Sequence, residues 1–259
     1  MPRSLASRSL EPLVAILWGL FLMWTAWVAV VWVVPVSATA LGFIPNEPPP
    51  PNADLRQAVL LMAAHADVVW LALALMNVHL VVMNAHGLST ARLWLAIAAS
   101  GAFLIGLMNA RIGVPFGWLF FGEALGVVRF GVAIGWVLLS AVLVLGGRGA
   151  VLWVRPRASH SSVAVLSAVV VLLTMFNLEW PARVIRGWWI WHSGITRDIA
   201  SVPWSNWVAW FVWPLLAAFA MREKDVVSGV AIRSVKPALI LALLNAVAFA
   251  ARVRAWAQG

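Results

Sequence analysis

The stretch LVAILWGLFLMWTAWVAVVWVV, residues 13–34, decides the fold class because its 22 residues include no charged side chain. A helix that crosses the hydrocarbon core of a bilayer needs about 20 apolar residues. The whole chain is similar, with 63% hydrophobic and 10% charged residues among 259, whereas soluble domains are about 25% charged. A soluble protein of this composition could not cover its surface. We therefore predict an integral membrane protein, and we expect it in the cytoplasmic (inner) membrane of a bacterium.

Further apolar segments follow the first at short intervals and leave room for about seven spans. The predicted spans are Leu13–Val34, Gln57–Met83, Leu93–Ala110, Val127–Leu145, Val163–Leu178, Val202–Met221 and Val227–Ala251. The predicted fold class is all-α, a polytopic transmembrane helical bundle that forms a single membrane domain over residues 1–259. The residues that predict a basic loop between spans four and five are Gly146, Gly147, Arg148, Gly149, Arg155 and Arg157.

Two connections differ from ordinary loops because they are rich in Trp, Phe, Gly and Pro. They are GVPFGWLFFGEALG at 113–126 and EWPARVIRGWWIWHSGITRDIASVPWSNWVAWFVW at 179–213. Both are too apolar for a solvated loop and too interrupted for a regular span. Non-helical backbone at membrane depth persists only where protein or a wet cavity satisfies its polar groups. We predict that both connections lie at the membrane interface or re-enter the bilayer.

The net charge of +9 does not indicate a nucleic-acid partner, because the 18 Lys and Arg residues are scattered at segment ends, where anionic lipid head groups attract them. Cysteine is absent, and no phosphate-binding loop, dinucleotide fingerprint or nucleophile elbow is present. His65, His79 and His86 fall on one stripe, but the outer two would lie about 31 Å apart along a helix. We interpret each as a packed or interfacial histidine, and we predict neither a metal nor a cofactor.

The chain has 18 tryptophans and no tyrosine. One interpretation is the belt of aromatic residues found at membrane interfaces. The other is a pocket for a flat apolar ligand, because seven tryptophans fall between Trp188 and Trp213. Indole faces attract cations by about 0.5–2 kcal/mol each, so such a pocket could hold a polyene and stabilise a carbocation formed on it.

Four acidic residues lie in apolar surroundings, namely Asp67 in the second span, Glu123 in the first connection, and Glu179 and Asp198 in the second connection. An ionisable group at membrane depth is a functional candidate. A carboxyl removed from water holds its proton more firmly and can act as a general acid. The alternative is a structural ion pair, either Glu179 with Arg183 or Glu123 with Arg129.

The order of aromatic residues in these connections resembles the carotenoid biosynthesis membrane protein family, which contains the bacterioruberin-pathway and γ-carotene hydratases. That family shows G-x-P-F-G-x-Y-x-Y, a later Trp, an acidic-Pro pair with G-x-W-x-W, and a final V/I-P-x-x-N-x-x-G-W. The matching residues are GVPFGWLF at 113–120, Trp136, Pro181, Gly187, Trp189, Trp191, Val202, Pro203, Asn206 and Trp210. Trp118 and Phe120 stand where the family has tyrosines, and Glu179 lies one position before the expected acid. The resemblance covers residues near 100–215.

This resemblance implies a carotenoid 1,2-hydratase-like lyase that adds water to the terminal C1=C2 double bond of an acyclic carotenoid. An acid would protonate C2, a tertiary cation would form at C1, and water would capture it without a cofactor. Glu179 is the first choice of acid, with Glu123 and Asp67 in reserve. The residues expected to bind the substrate are Trp118, Phe120, Trp136, Trp189, Trp191, Asn206, Trp207 and Trp210.

A second hypothesis is a non-catalytic carotenoid- or lipid-binding subunit of a larger membrane complex that uses the same pocket. The missing tyrosine hydroxyls favour this hypothesis, whereas Glu179, Glu123 and Asn206 favour the enzyme. The partners expected under both are a carotenoid or other polyene lipid and membrane lipids, with further subunits under the second. A transporter ranks third because spans one, four and five carry almost no polar residues.

Overall fold

The computed structural model describes residues 5–34, 36–37, 41–42, 48, 50, 52–191, 198–199, 202–221 and 234–258. Helices dominate these ranges. The α-helices are α1 (Leu5–Val33), α2 (Ala53–Ala64), α3 (Ala66–His86), α4 (Leu88–Ile112), α5 (Ile134–Val154), α6 (His160–Val184), α7 (Trp204–Ala220) and α8 (Lys236–Gln258). The short strands are β1 (Leu119–Phe121), β2 (Val128–Arg129), β3 (Val132–Ala133), β4 (Trp189–Trp191), β5 (Asp198–Ile199) and β6 (Val202–Pro203).

Six helices of the described ranges are long and apolar enough to cross a membrane. They are α3, α4, α5, α6, α8 and the Glu11–Val33 part of α1. Helix α7 has 17 residues, which lies at the lower limit of about 17 residues for a spanning helix, and it packs along α6. The predicted all-α polytopic bundle is therefore confirmed, as six long helices with a shorter seventh beside them.

Helix α5 lies at the centre of the bundle, where it contacts α3, α4, α6 and α8. It ends at Val154, so the predicted span Val127–Leu145 was placed too early in the chain. A Cβ added at Gly146 would lie 3.3 Å from Leu241 of α8, and one at Gly147 would lie 3.3 Å from the Ser167 carbonyl oxygen of α6. Small residues let membrane helices approach closely, which explains why these glycines belong to the helix.

Arg148 is buried in α5, whereas the sequence predicts it in a basic loop. Its guanidinium carbon lies 4.6 Å from the ring centroid of Trp94 in α4, and Nη1 donates to the Ala218 carbonyl oxygen of α7 at 3.3 Å. Charged residues within membrane segments face the bundle interior, and the indole face attracts the cation. Arg155 and Arg157 do lie exposed between α5 and α6.

The two aromatic connections pair with each other at one end of the bundle. Strands β1 and β4 form an antiparallel ribbon in which Leu119 lies opposite Trp191 and Phe121 lies opposite Trp189. Successive side chains of a strand point to opposite faces. Trp189 and Trp191 therefore share one face of the ribbon, where Trp189 is buried and Trp191 is half-buried, whereas Phe120 is 61% exposed. The ribbon aims two of the predicted site tryptophans into the bundle and turns Phe120 outwards.

The second connection is shorter than predicted, because α6 continues to Val184 and α7 begins at Trp204. Glu179 and Pro181 therefore lie on α6 itself. Proline has no N–H, so the carbonyl four residues earlier loses its helical donor. That carbonyl belongs to Asn177, and Arg252 of α8 donates to it from Nη2 at 3.1 Å. The arginine thus replaces the missing helical hydrogen bond and brings α8 against this part of α6.

Replacing Gly122 with alanine is expected to disrupt the contact between the two connections. An added Cβ would overlap the carbonyl oxygen of Gly187, and this backbone is held by the Gly122 N–H bond to the Trp188 carbonyl oxygen at 2.9 Å. Overpacking of this kind costs about 1–3 kcal/mol. The measurement is the midpoint of unfolding by dodecyl sulfate in mixed micelles.

The matched control for this substitution is Gly19→Ala in α1, where an added Cβ meets no atom within 4 Å. Its unfolding midpoint should lie at the same fraction of dodecyl sulfate as that of the parent chain, or at a higher one. Equal midpoints for the two alanine variants would contradict the close approach of Gly122 to Gly187.

Candidate functional site

The Glu179 carboxyl is the centre of the candidate site, and the residue is only 2% exposed. Its Oε1 atom accepts two indole hydrogen bonds, from Trp189 Nε1 at 2.8 Å and from Trp191 Nε1 at 3.0 Å. The ribbon of β1 and β4 presents both donors on one face. Oε2 is buried and has no hydrogen-bond partner, so the two oxygens of one carboxyl differ in their surroundings.

Asn206 lies in the first turn of α7, where its side chain interacts with the Glu179 carboxyl without a hydrogen bond of standard geometry. The residue is 1% exposed, and its Nδ2 atom has no hydrogen-bond partner. Buried polar atoms are nearly always paired, and an unpaired one requires an explanation such as a bound water or a catalytic role. Glu179 Oε2 and Asn206 Nδ2 are therefore the atoms at which a ligand or water would bind.

A cavity of about 180 Å³ opens beside Glu179. Its lining residues are Phe176, Glu179, Trp180, Val202, Trp207, Arg252 and Trp256. Two pairs spaced by four residues, Phe176 with Trp180 and Arg252 with Trp256, each present one face of a helix. Phe176 and Trp256 are exposed on the outside of the bundle, so the cavity lies near the lipid-facing surface of α6 and α8.

A cluster of aromatic rings packs around the residues that hold Glu179. Trp136 is its centre, with ring centroids 5.8 Å from Trp189, 5.0 Å from Trp210 and 4.9 Å from Phe116. Aromatic pairs at 4.5–7 Å stabilise a fold by about 0.5–1.5 kcal/mol beyond their area. The cluster fixes the position of the Trp189 indole, which in turn fixes Oε1 of Glu179.

Asp67 forms a separate and closed network at the same end of the bundle. Its Oδ1 accepts from Trp32 Nε1 at 2.8 Å, and its Oδ2 accepts from Arg186 Nε and Trp188 Nε1, both at 2.8 Å. Asp67 is fully buried and does not line the cavity. The network joins α1, α3 and the segment after α6, which is a structural arrangement and not a site that faces a substrate.

The remaining predicted residues divide into those that surround Glu179 and those that do not. Six of them contact Glu179, line the cavity or belong to the aromatic cluster, namely Trp136, Trp189, Trp191, Asn206, Trp207 and Trp210. Glu123 is exposed, as are Trp118 at 42% and Phe120 at 61%. The structure does not bring these last three to the cavity, because they occupy outward-facing positions of the first connection.

The predicted alternative of structural ion pairs concerns Glu179 with Arg183 and Glu123 with Arg129. In the described ranges neither pair has an N–O contact within 4 Å. The ion pair found there joins Arg186 to Asp67. In the same part of the chain no cluster of three or more His, Asp or Glu residues could hold a metal ion. Glu179 is thus a buried carboxyl with no cation of the described residues within 4 Å, although Arg183 lies near enough to act on it electrostatically.

Sequence reasoning did not find Phe176, Trp180, Val202, Arg252 or Trp256 as cavity residues. The four-residue spacing in α6 and α8 was the available signal, but it does not show which helices lie side by side. Comparisons with models of protein families, with curated proteins and with solved structures found no match to this chain. The likeness to the carotenoid biosynthesis family therefore rests on its motif residues alone.

Proposed function

We propose that this protein adds water to the terminal C1=C2 double bond of an acyclic carotenoid or a similar polyene lipid. One observation carries the proposal: Glu179 is a buried carboxyl with no cation of the described ranges within 4 Å, and it lies in the wall of an aromatic cavity near the lipid-facing surface. A buried carboxyl that is held in the wall of an aromatic cavity suits proton transfer to an alkene, because it is positioned as a general acid and bulk water is largely kept away from it.

The unequal surroundings of the two Glu179 oxygens support a proton on Oε2. Oε1 accepts two indole N–H groups, so it serves as the acceptor oxygen of a protonated carboxyl. Oε2 has no partner and would carry the acidic hydrogen. In the proposed reaction this hydrogen passes to C2, and the electron pair of the double bond forms the new C–H bond. The tertiary cation at C1 then gains a C–O bond to water, and the released proton returns to Glu179.

The tryptophans of the cavity wall suit the cationic intermediate. Trp180 and Trp207 line the cavity together with Glu179. The Trp180 ring already lies 6.0 Å from the guanidinium carbon of Arg252, so Trp207 offers the indole face for the intermediate, and such a face contributes about 0.5–2 kcal/mol. These rings would also shield the cation from bulk water, which leaves the capture step to a bound water molecule. The same rings would hold the planar polyene in the absence of chemistry.

The cavity volume supports a ligand that enters by one end. Pockets that enclose a drug-sized molecule measure about 300–1,000 Å³, and 180 Å³ is smaller than this range. A long polyene would place only its terminal isoprene units beside Glu179, while its remainder lies in the lipid next to α6 and α8. This arrangement agrees with a reaction at the chain end.

The second candidate function is a non-catalytic binding subunit that holds the polyene in the same cavity. The observation that favours it is the set of exposed aromatic side chains at this end of the bundle, which could contact another membrane protein. These are Trp118, Phe120, Phe130 and Trp204.

The two candidate functions are separated by expressing the chain in bacteria that make lycopene and extracting their pigments. We expect a product that is heavier than lycopene by one molecule of water and elutes as an alcohol. Unchanged lycopene that co-purifies with the protein would contradict the enzyme and support the binding subunit.

A further inference from the structure

Asn109 and Asn206 are the buried asparagines of the described ranges whose Nδ2 atoms make no hydrogen bond of standard geometry. Asn109 holds the first connection through Oδ1, which accepts from the Phe116 N–H, whereas Asn206 lies beside an acid, Glu179. The Nδ2 atoms of Asn77, Asn177 and Asn245 donate to groups on neighbouring helices or on their own helix. These amides join α3 to α1 and α6 to α8, which is the ordinary use of polar residues in membrane helices. Asn206 Nδ2 makes no hydrogen bond of standard geometry, and the group that its side chain contacts is the Glu179 carboxyl.

The position of Asn206 is also defined, because α7 begins two residues earlier and Val202 and Pro203 form β6 against β5. The amide is thereby held beside the Glu179 carboxyl. It presents a hydrogen-bond donor next to an oxygen that lacks a donor, Glu179 Oε2. Burying such atoms without partners costs about 1–3 kcal/mol each, and a water molecule between the two groups removes this cost.

We propose that Asn206 is the positioning residue that holds the attacking water, an inference that rests on the proposed hydration. Asn206 Nδ2 donates to the water oxygen and leaves its second lone pair directed at C1. When the proton of Oε2 has passed to C2, the resulting carboxylate accepts a hydrogen of the same water. The new C–O bond forms as the water O–H bond breaks towards Glu179, and the carboxyl returns to its protonated form.

This role differs from that of Glu179 in one consequence that can be measured. Without Asn206, Glu179 still protonates C2, but the cation meets no oriented water. The cation then loses a different proton to the carboxylate, either from a methyl group on C1 or, after rotation about the C1–C2 bond, the original hydrogen of C2, and an alkene forms again. In heavy water this elimination leaves the added deuterium in the recovered polyene, so exchange continues while alcohol formation fails.

The test uses purified full-length protein in lipid vesicles with lycopene in heavy water, and it measures alcohol and deuterium in the recovered hydrocarbon. The parent chain should give both. Asn206→Leu should lose alcohol by about 100-fold, the size of effect expected for a misplaced reactant, and should retain deuterium exchange. Asn206→Ala, which cannot overpack the site, should behave in the same way and serves if the leucine variant does not fold.

The matched control is Asn245→Leu, which removes an amide that joins α8 to α6. It should lower the unfolding midpoint and leave the ratio of alcohol to exchange unchanged. Loss of both alcohol and exchange in a folded Asn206 variant, or retention of the parental ratio, would overturn the role of Asn206. If the parent chain gives neither alcohol nor exchange, the hydration itself is wrong.

Discussion

Glu179→Gln is expected to abolish formation of the carotenoid alcohol and to leave the fold intact. Glutamine has the shape of glutamate, and its carbonyl oxygen can still accept the indole hydrogen bonds from Trp189 and Trp191. It has no acidic hydrogen to give to C2. A positioned general acid contributes about 10²–10⁴-fold to a rate, so the alcohol should fall by at least about 100-fold, below detection in cell extracts.

The measurement is the alcohol-to-lycopene ratio in extracts, together with the unfolding midpoint of the purified variant. The matched control is Glu123→Gln, which changes an acid that is exposed and does not line the cavity. This variant should keep the parental ratio. If Glu179→Gln still forms the alcohol while Glu123→Gln does not, the acid is Glu123 and not Glu179.

Asp67→Asn is expected to destabilise the bundle strongly without a direct role in chemistry. The carboxylate accepts from Trp32, Trp188 and Arg186, and the amide leaves the Arg186 guanidinium without its counter-charge. Breaking a buried ion pair by removing one partner costs about 3–5 kcal/mol. The free energy of unfolding in mixed micelles should fall by an amount of this size.

The control for Asp67 is Asp54→Asn, because Asp54 is an exposed acid in the first turn of α2. Its free energy of unfolding should stay close to that of the parent chain. An Asp67→Asn variant that is as stable as the parent but inactive would contradict the structural role and would make Asp67 part of the reaction.

The sequence predicted the bundle well because long apolar segments depend on composition alone. It misplaced the end of α5, since glycine weakens helices in water and often follows their last turn, whereas Gly146 and Gly147 permit close packing here. Arg148 is the next residue of the helix and is buried as well, with its guanidinium packed against the face of the Trp94 ring. Local residue types do not reveal such contacts, because the partners lie on helices distant in the chain.

The candidate site was predicted in part, for a similar reason. Glu179 and the tryptophans next to it in the chain could be selected because a carboxyl among aromatic residues is unusual in a membrane segment. Phe120 was misassigned because the ribbon that turns it outwards depends on pairing between two distant connections. Arg252 was not found because its contact with Asn177 follows from the proline in α6 and from the position of α8.

The most direct test of the proposed hydration uses purified protein in vesicles with lycopene and water labelled with heavy oxygen, in the absence of any added cofactor. We expect an alcohol whose hydroxyl oxygen carries the label in the same proportion as the water. An unlabelled hydroxyl, or bound lycopene that remains unchanged, would contradict acid-catalysed hydration at Glu179.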